Sequence, residues 1–343
     1  MFSGCYTALV TPMKKSCEVD YESLQRLVEF QVREGVQGIL AVGTTGECAT
    51  LSWDEHVRVI EKIHEGINKR CETIGGTGSN CTEEVINASK SAWDIGVKSF
   101  LLVDPYYNGP SSLEIRKEYI EPVAKRFPEA EIIPYVIPGR TGTQLLPQDL
   151  AILHSECKNV NTVKEATGNL ENMKLTRKFC GEDFNILSGD DDKTFQMMTS
   201  PEIVSKGVVS VVSNVVPNAV QNMVKNILNG NLDEATKLTT ALKPMFRIVT
   251  VKTEEETPFG PMICKARNPL PYKTLMNILG MSTGPCKPPL GKMTRKGVET
   301  ILNEVRTVYV NNPEILQPIE DFFDVDIDNR LYEEKFWKEY FYD

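Results

Sequence analysis

The stretch VQGILAVGTTGE, residues 36–47, contains the unit from which the fold can be read. Its first seven residues are largely apolar and suit a buried strand. The next five, Gly43-Thr44-Thr45-Gly46-Glu47, make a turn, and Ser52 then caps a helical pattern over 53–67. This strand, turn and helix recur along the chain. Strand-like runs fall at 4–10, 36–42, 72–76, 97–103, 131–136, 159–163, 184–187 and 207–212. Helical patterns at 21–34, 53–67, 83–95, 113–126 and 147–156 lie between them, with Asp20, Ser52, Thr82 and Ser112 as N-caps. Eight such units predict an α/β fold, a closed (β/α)8 TIM barrel with a C-terminal helical region. The barrel is placed at 1–230, the helical region at 231–312 with an acidic loop insertion around Glu254-Glu255-Glu256, and an aromatic, acidic extension at 313–343. An open doubly wound sheet would carry a dinucleotide fingerprint after its first strand. Gly75-Gly76-Thr77-Gly78 is only a fragment of one, in the third unit, and reads as a tight turn.

Composition narrows the function. A chain of 343 residues, 41% hydrophobic, can bury a large core, and its formal net charge of −9 disfavours a nucleic-acid partner. The nine cysteines show no C-x-x-C spacing, which suits reduced thiols in a cytoplasmic protein. No leader pattern and no run of ~18 apolar residues is present, so no membrane partner is expected. The sequons Asn80-Cys81-Thr82 and Asn87-Ala88-Ser89 then read as chance matches. Gly291-Lys292 is followed by Met293, which breaks a phosphate-loop pattern. Three histidines, His56, His64 and His154, have no metal-ligand spacing and weaken any Ser-His-Asp reading, so neither metal nor cofactor is expected.

In a barrel of this kind the active site gathers at the carboxyl ends of the strands. Residues at those ends here are Thr44 and Thr45, Tyr106 and Tyr107, Tyr135 to Arg140, Lys164 directly after the run 160–163, and Gly189. Each has an ordinary reading. A lone lysine after a strand is usually a solvated loop residue, Pro105-Tyr106-Tyr107-Asn108 suits an aromatic turn, the glycines of 43–46 suit a turn, and Arg140 suits a surface. Taken together they are what a Schiff-base aldolase needs: an amine to condense with a ketone, phenols to move protons, and donors to hold carboxylates.

Those motifs, in that order, resemble the dihydrodipicolinate synthase branch of the N-acetylneuraminate lyase superfamily. The similarity extends to Val10-Thr11-Pro12-Met13 and to residues 207–214, with a weaker echo in Asn268-Pro269 and Lys287-Pro288-Pro289. The resemblance implies that Lys164 is the Schiff-base lysine and that Thr44, Tyr107 and Tyr135 form a proton relay, the residue matching Tyr107 being supplied by a neighbouring subunit of a homo-oligomer, dimer or tetramer. It implies pyruvate on Thr44 and Thr45, L-aspartate 4-semialdehyde on Arg140, and Gly189 and Val209 lining the pocket. A feedback effector, L-lysine, would sit near Ala49, Trp53, His56, Asn80, Glu84 and Tyr106. The product implied is 4-hydroxytetrahydrodipicolinate, on the route to lysine and diaminopimelate.

Arg140, in Pro138-Gly139-Arg140-Thr141-Gly142, favours this branch over aldolases acting on hydroxyl-bearing substrates. A related class I 2-oxo acid aldolase, or a non-catalytic 2-oxo acid or lysine sensor, are the alternatives. Val136 stands where the family has asparagine, and Asp104 and Gly109 depart from its usual flanks. The extension, with Phe322, Phe323, Tyr332, Phe336, Trp337, Tyr340, Phe341 and Tyr342, is too apolar for disorder and reads as a helix docked on the barrel or on another subunit, a partner-binding tail being the alternative.

Overall fold

The computed structural model describes residues 2–342. Eight strands, β1 (Gly4–Ala8), β2 (Gly38–Ala41), β3 (Glu72–Gly76), β4 (Ser99–Val103), β5 (Glu131–Val136), β6 (Thr162–Glu165), β7 (Asn185–Ser188) and β8 (Gly207–Ser210), close in sequence order into one parallel barrel. The last strand pairs back onto the first, Tyr6 opposite Val209. Strand side chains alternate between two cores, as the period of two requires. Leu40, Leu101, Ile133, Leu187 and Val209 fill the barrel interior. Their neighbours Ile39, Phe100, Ile132, Ile186 and Val208 face outward beneath the helices. Each such buried side chain contributes about 1.5–3 kcal/mol, which is what holds strands of only four to six residues in register.

β3 and β5 match the sequence reading residue for residue, and the consequential difference is at β6. That strand runs through Lys164 to Glu165, so Lys164 is a strand residue and not the first loop residue. With Val163 facing the outer core, Lys164 takes the inward position and is 5% exposed. An inward lysine breaks the apolar run, which made the strand look finished too early. Gly76 also gains a reason unrelated to nucleotide binding: a Cβ there would lie 2.4 Å from the Val42 carbonyl oxygen.

The helix Tyr21–Arg33 begins at Asp20, whose carboxylate accepts from the Ser23 amide, and Trp53–Ile67 begins at Ser52 in a full capping box with Glu55. Two expected caps move by one residue. Cys81 precedes the helix Thr82–Asp94, and the Thr82 hydroxyl donates instead to the Glu118 carbonyl. Ser111, boxed with Glu114, caps the next helix, freeing Ser112 to donate to Asp149. That helix is continuous to Arg126 but contains a π segment, Ile115–Ile120.

After the helices Pro217–Leu228 and Leu232–Arg247, the expected acidic loop insertion is instead an antiparallel hairpin, β9 (Thr250–Glu255) and β10 (Met262–Arg267). Its inner face, with Val251 and Cys264, packs toward the helix Arg295–Asn311, and cross-strand pairing satisfies the backbone groups a loop would leave to water. The final segment folds back as short helices, Gln317–Phe323 and Ile327–Tyr332. Phe322 and Phe323 pack on Phe30 of the first barrel helix with ring centroids 5.2 Å away in both cases. Arg330 donates to the Ile278 carbonyl and Arg306 to that of Leu331. No helix among the described residues is long and apolar enough to cross a membrane.

Candidate active site

At the end of β2 the chain turns through Gly43–Glu47 with left-handed backbone at both flanks, φ 54° at Val42 and 62° at Glu47. Such angles in non-glycine residues need outside support, and Glu47 supplies it. Its carboxylate accepts from Lys273 Nζ at 2.7 Å and from the Lys287 amide at 2.7 Å, both partners lying more than 220 residues away in sequence. Lys273 also donates to the carbonyls of Thr11 (2.9 Å) and Pro285 (2.7 Å). Its ammonium is thus saturated by three acceptors. The latch presents Thr44, half-buried, and Thr45, buried, at the barrel mouth.

Lys164 is placed differently. Register sets Tyr135 of β5 directly opposite it, and Leu187 of β7 on its other side. Its amine lies 4.0 Å from the centroid of the Tyr135 ring and has no hydrogen-bond acceptor among the described residues. Burial lowers its pKa to about 8, against the pull of Asp190 and Asp191 and with help from the Arg140 charge. Burial in turn raises the Asp190 carboxyl to about 6. It also pushes the Tyr135 phenol up, with Arg140 and the Thr44 hydroxyl opposing. Gly189 leaves room for the lysine, since a Cβ there would lie 3.1 Å from Lys164 Cε and 2.7 Å from the Ala166 side chain. Val209, 1% exposed, closes the apolar floor.

Arg140 stands on a short helical turn, Pro138–Thr141, after β5 and donates to the Asn268 carbonyl at 3.0 Å. Asn268 Nδ2 donates to Thr45 Oγ1 at 2.9 Å, while its buried Oδ1 has no partner among the described residues. A chain of contacts therefore links the guanidinium to the Thr44-Thr45 turn. Sequence reading gave Asn268 only as a weak echo and missed Asp190, the Glu47–Lys273 pair and Cys48, whose thiol burial raises to about 11 beside this cluster. Glu47 and Lys273 each sit in an unremarkable local pattern, and only their separation in sequence hides the pair. Asp190, one residue past Gly189, was the one signal within reach.

The structure thus gathers Thr44, Thr45, Tyr135, Arg140, Lys164, Gly189 and Val209, but not Tyr107. That residue is 92% exposed at a turn with φ 79°. The residues expected to hold an effector divide between two neighbouring concavities. Trp53 and Glu84 line one, Asn80 and Tyr106 the other. His56 lies beneath Trp53, ring centroids 4.8 Å apart, with Nε2 2.7 Å from the Gly76 carbonyl oxygen, and Ala49 is exposed.

Residues 1–307 match the model of the dihydrodipicolinate synthetase family. The 4-hydroxy-tetrahydrodipicolinate synthase of Methanocaldococcus jannaschii is 36% identical over 308 residues, covering 89% of this chain and 99% of the relative. Among solved structures, the 4-hydroxy-tetrahydrodipicolinate synthase of Methylacidiphilum fumariolicum SolV superposes with a TM-score of 0.83 at 32% identity, covering 94% of this chain and 100% of that one. The enzyme from Cyanidioschyzon merolae, solved with lysine bound, gives 0.81 at 32% identity, with 90% and 98% covered. A buried, unpaired lysine facing a tyrosine in a closed eight-stranded barrel and a match that runs through all eight strands lead to one conclusion: the chain belongs to the dihydrodipicolinate synthetase family and is a lyase of it.

Proposed function

We propose that the chain acts as a 4-hydroxy-tetrahydrodipicolinate synthase, condensing pyruvate with L-aspartate 4-semialdehyde through an imine on Lys164. The observation that carries this is the state of that amine, buried on the Tyr135 ring with its pKa near 8. At pH 7 roughly one such amine in ten is neutral, against roughly one in 2,500 for an ordinary lysine of pKa ~10.4. The neutral amine adds to the pyruvate ketone, and the carbinolamine loses water to give the imine. Loss of a methyl proton gives the enamine, which attacks the aldehyde carbon. The amino group of the semialdehyde then displaces Lys164, closing the ring and returning the free amine. In this reading Tyr135 carries the protons of dehydration and addition, with Thr44 next in line. Thr44 and Thr45 offer donors for the pyruvate carboxylate, and Arg140 a planar fork for that of the semialdehyde.

Two parts of the reading reach beyond one chain. Tyr107 completes the relay of a neighbouring subunit, which accounts for a strained tyrosine left in solvent, so the enzyme is a homo-oligomer. L-lysine acts as a feedback effector between the concavities of Trp53 and Glu84 and of Asn80 and Tyr106. The lysine bound in the Cyanidioschyzon merolae relative supports this, as do the exposed Glu84, whose carboxylate accepts from the Ser79 hydroxyl through Oε2, and the exposed rim of Trp53. The deciding experiment is intact mass after borohydride treatment with pyruvate. A pyruvyl-sized gain is expected in the native chain and not in Lys164→Ala, with the rate of gain rising through pH 8. A native chain that gains nothing overturns the reading.

A further inference from the structure

The hairpin β9–β10 has two unlike faces. Val251, Thr253, Cys264 and Ala266 turn inward, and its carboxylate Glu255 turns with them to Lys296 at 3.6 Å. The outer face begins with Arg267 opposite Thr250, continues with Lys265 directly opposite Lys252, and then has Ile263 opposite Glu254. Like charges on one cross-strand rung destabilise a hairpin, and here no ion pair offsets them. Neither lysine, nor Arg267, nor Arg140 has a carboxylate within ion-pair distance among the described residues. Lys252 and Lys265 are both exposed.

The face is anchored at the mouth of the barrel. Arg267 Nη2 donates to the carbonyl of Gly139 at 3.1 Å, and Arg140, the next residue, donates to the carbonyl of Asn268, which directly follows β10. The base of the hairpin and the loop bearing Arg140 are therefore held by two reciprocal guanidinium contacts. The charges sense one another: Arg267, Lys252 and Arg140 all depress the Lys265 ammonium, and the half-buried Arg140, lowered chiefly by its desolvation, is lowered further by Arg267. In a chain whose net charge is −9, these four cations without ion-pair partners outnumber Glu254, the carboxylate on the same face of the strands, and form a cluster of opposite sign beside the site proposed to take up small carboxylates.

We propose that the hairpin forms an entry rim of the active site, in which Lys252, Lys265 and Arg267 concentrate carboxylate-bearing substrates, the 2-oxo acid first, at the approach to Arg140 and Lys164. This rests on the function proposed above. The rim works by raising the local concentration of anions against the repulsion of the whole molecule. Its effect is a property of KM and of salt, not of the bond-making steps. At an ionic strength of ~0.01 M the screening length is ~30 Å, and at ~1 M it falls to ~3 Å, so added salt switches the rim off without touching the chemistry.

The test compares the native chain with Lys252→Gln/Lys265→Gln and with Lys252→Glu/Lys265→Glu, reading borohydride-trapped pyruvyl adduct on the full chain by mass. Below saturation and at low salt, trapping is expected to slow about three- to tenfold in the neutral pair and further in the reversed pair. At saturating pyruvate all three converge, and at high salt the differences close. Equal pyruvate dependence and equal salt slopes in the three chains overturn the rim while leaving the Lys164 reading intact. If the native chain forms no adduct, the Lys164 reading falls and the rim falls with it.

Discussion

Lys273 commits its three ammonium protons to Thr11, Pro285 and Glu47, while Lys164, equally buried, keeps an amine with no protein acceptor among the described residues. Burial alone does not make a nucleophile; a paired buried lysine serves as a structural partner, and an unpaired one gives up its proton more readily. Asp190 is the strongest charge opposing that loss, so removing it has a definite sign. Asp190→Asn is expected to lower the Lys164 pKa below 8 and to quicken pyruvate trapping at pH 7 about two- to threefold. The gain should shrink below pH 6, where the Asp190 carboxyl is itself neutral. A trapping profile unmoved along the pH axis would show that Asp190 does not act on the amine. This residue was within reach of the sequence, next to Gly189, yet a carboxylate raised toward 6 by burial cannot be told from a solvated one until the barrel closes around it.

At the scale of elements, the turn after β2 is fixed from far away. Glu47, in its strained conformation, is held by the helix Leu270–Ile278 through Lys273 and by the loop that follows it through Lys287. Glu47→Leu leaves a buried ammonium without its counter-charge and is expected to destabilise the fold by about 3–5 kcal/mol, read from the shift in urea midpoint. Adding Lys273→Met should restore most of that loss, since a packed apolar pair replaces a buried ion pair at little net cost. Double and single variants with equal midpoints would show the pair to be energetically idle. The hairpin is the other element the sequence concealed. Glu254-Glu255-Glu256 reads as a solvated run and masks the alternation that surrounds it, Val251 and Thr253 against Lys252 on one strand, Cys264 and Ala266 against Lys265 and Arg267 on the other.

For the whole molecule, the extension beyond residue 312 covers an outer flank of the barrel. Leu316, Ile319, Ile327 and Leu331 are fully buried there, and Phe322 and Phe323 stack on Phe30 while Arg26 lies 5.0 Å from the Phe323 ring. Deleting 312–343 should therefore lower the melting temperature by about 5 °C or more. An unchanged melting temperature would mean the flank is stable uncovered. The family match ends at residue 307, so this covering lies beyond the matched region, with Phe322 and Phe323 seated on the first helix and Tyr342 beside the hairpin.

The sequence alone determined what local periodicity can carry. Eight apolar runs at strand spacing, each followed by a turn and a helix, leave few folds open, and residues at the strand ends, Thr44, Tyr135, Arg140 and Lys164, announced an amine and its helpers. Tertiary structure decided what depends on contacts between distant residues: that Lys164 points inward opposite Tyr135, that Asn268 links Arg140 to Thr45, that Glu47 meets Lys273, and that a hairpin inserted near residue 250 leans on the loop of Arg140. The physical reason is the same in each case. A pKa, an ion pair or a rim of charge is set by the solvent excluded and the partners brought near, and neither is defined until the strands have closed.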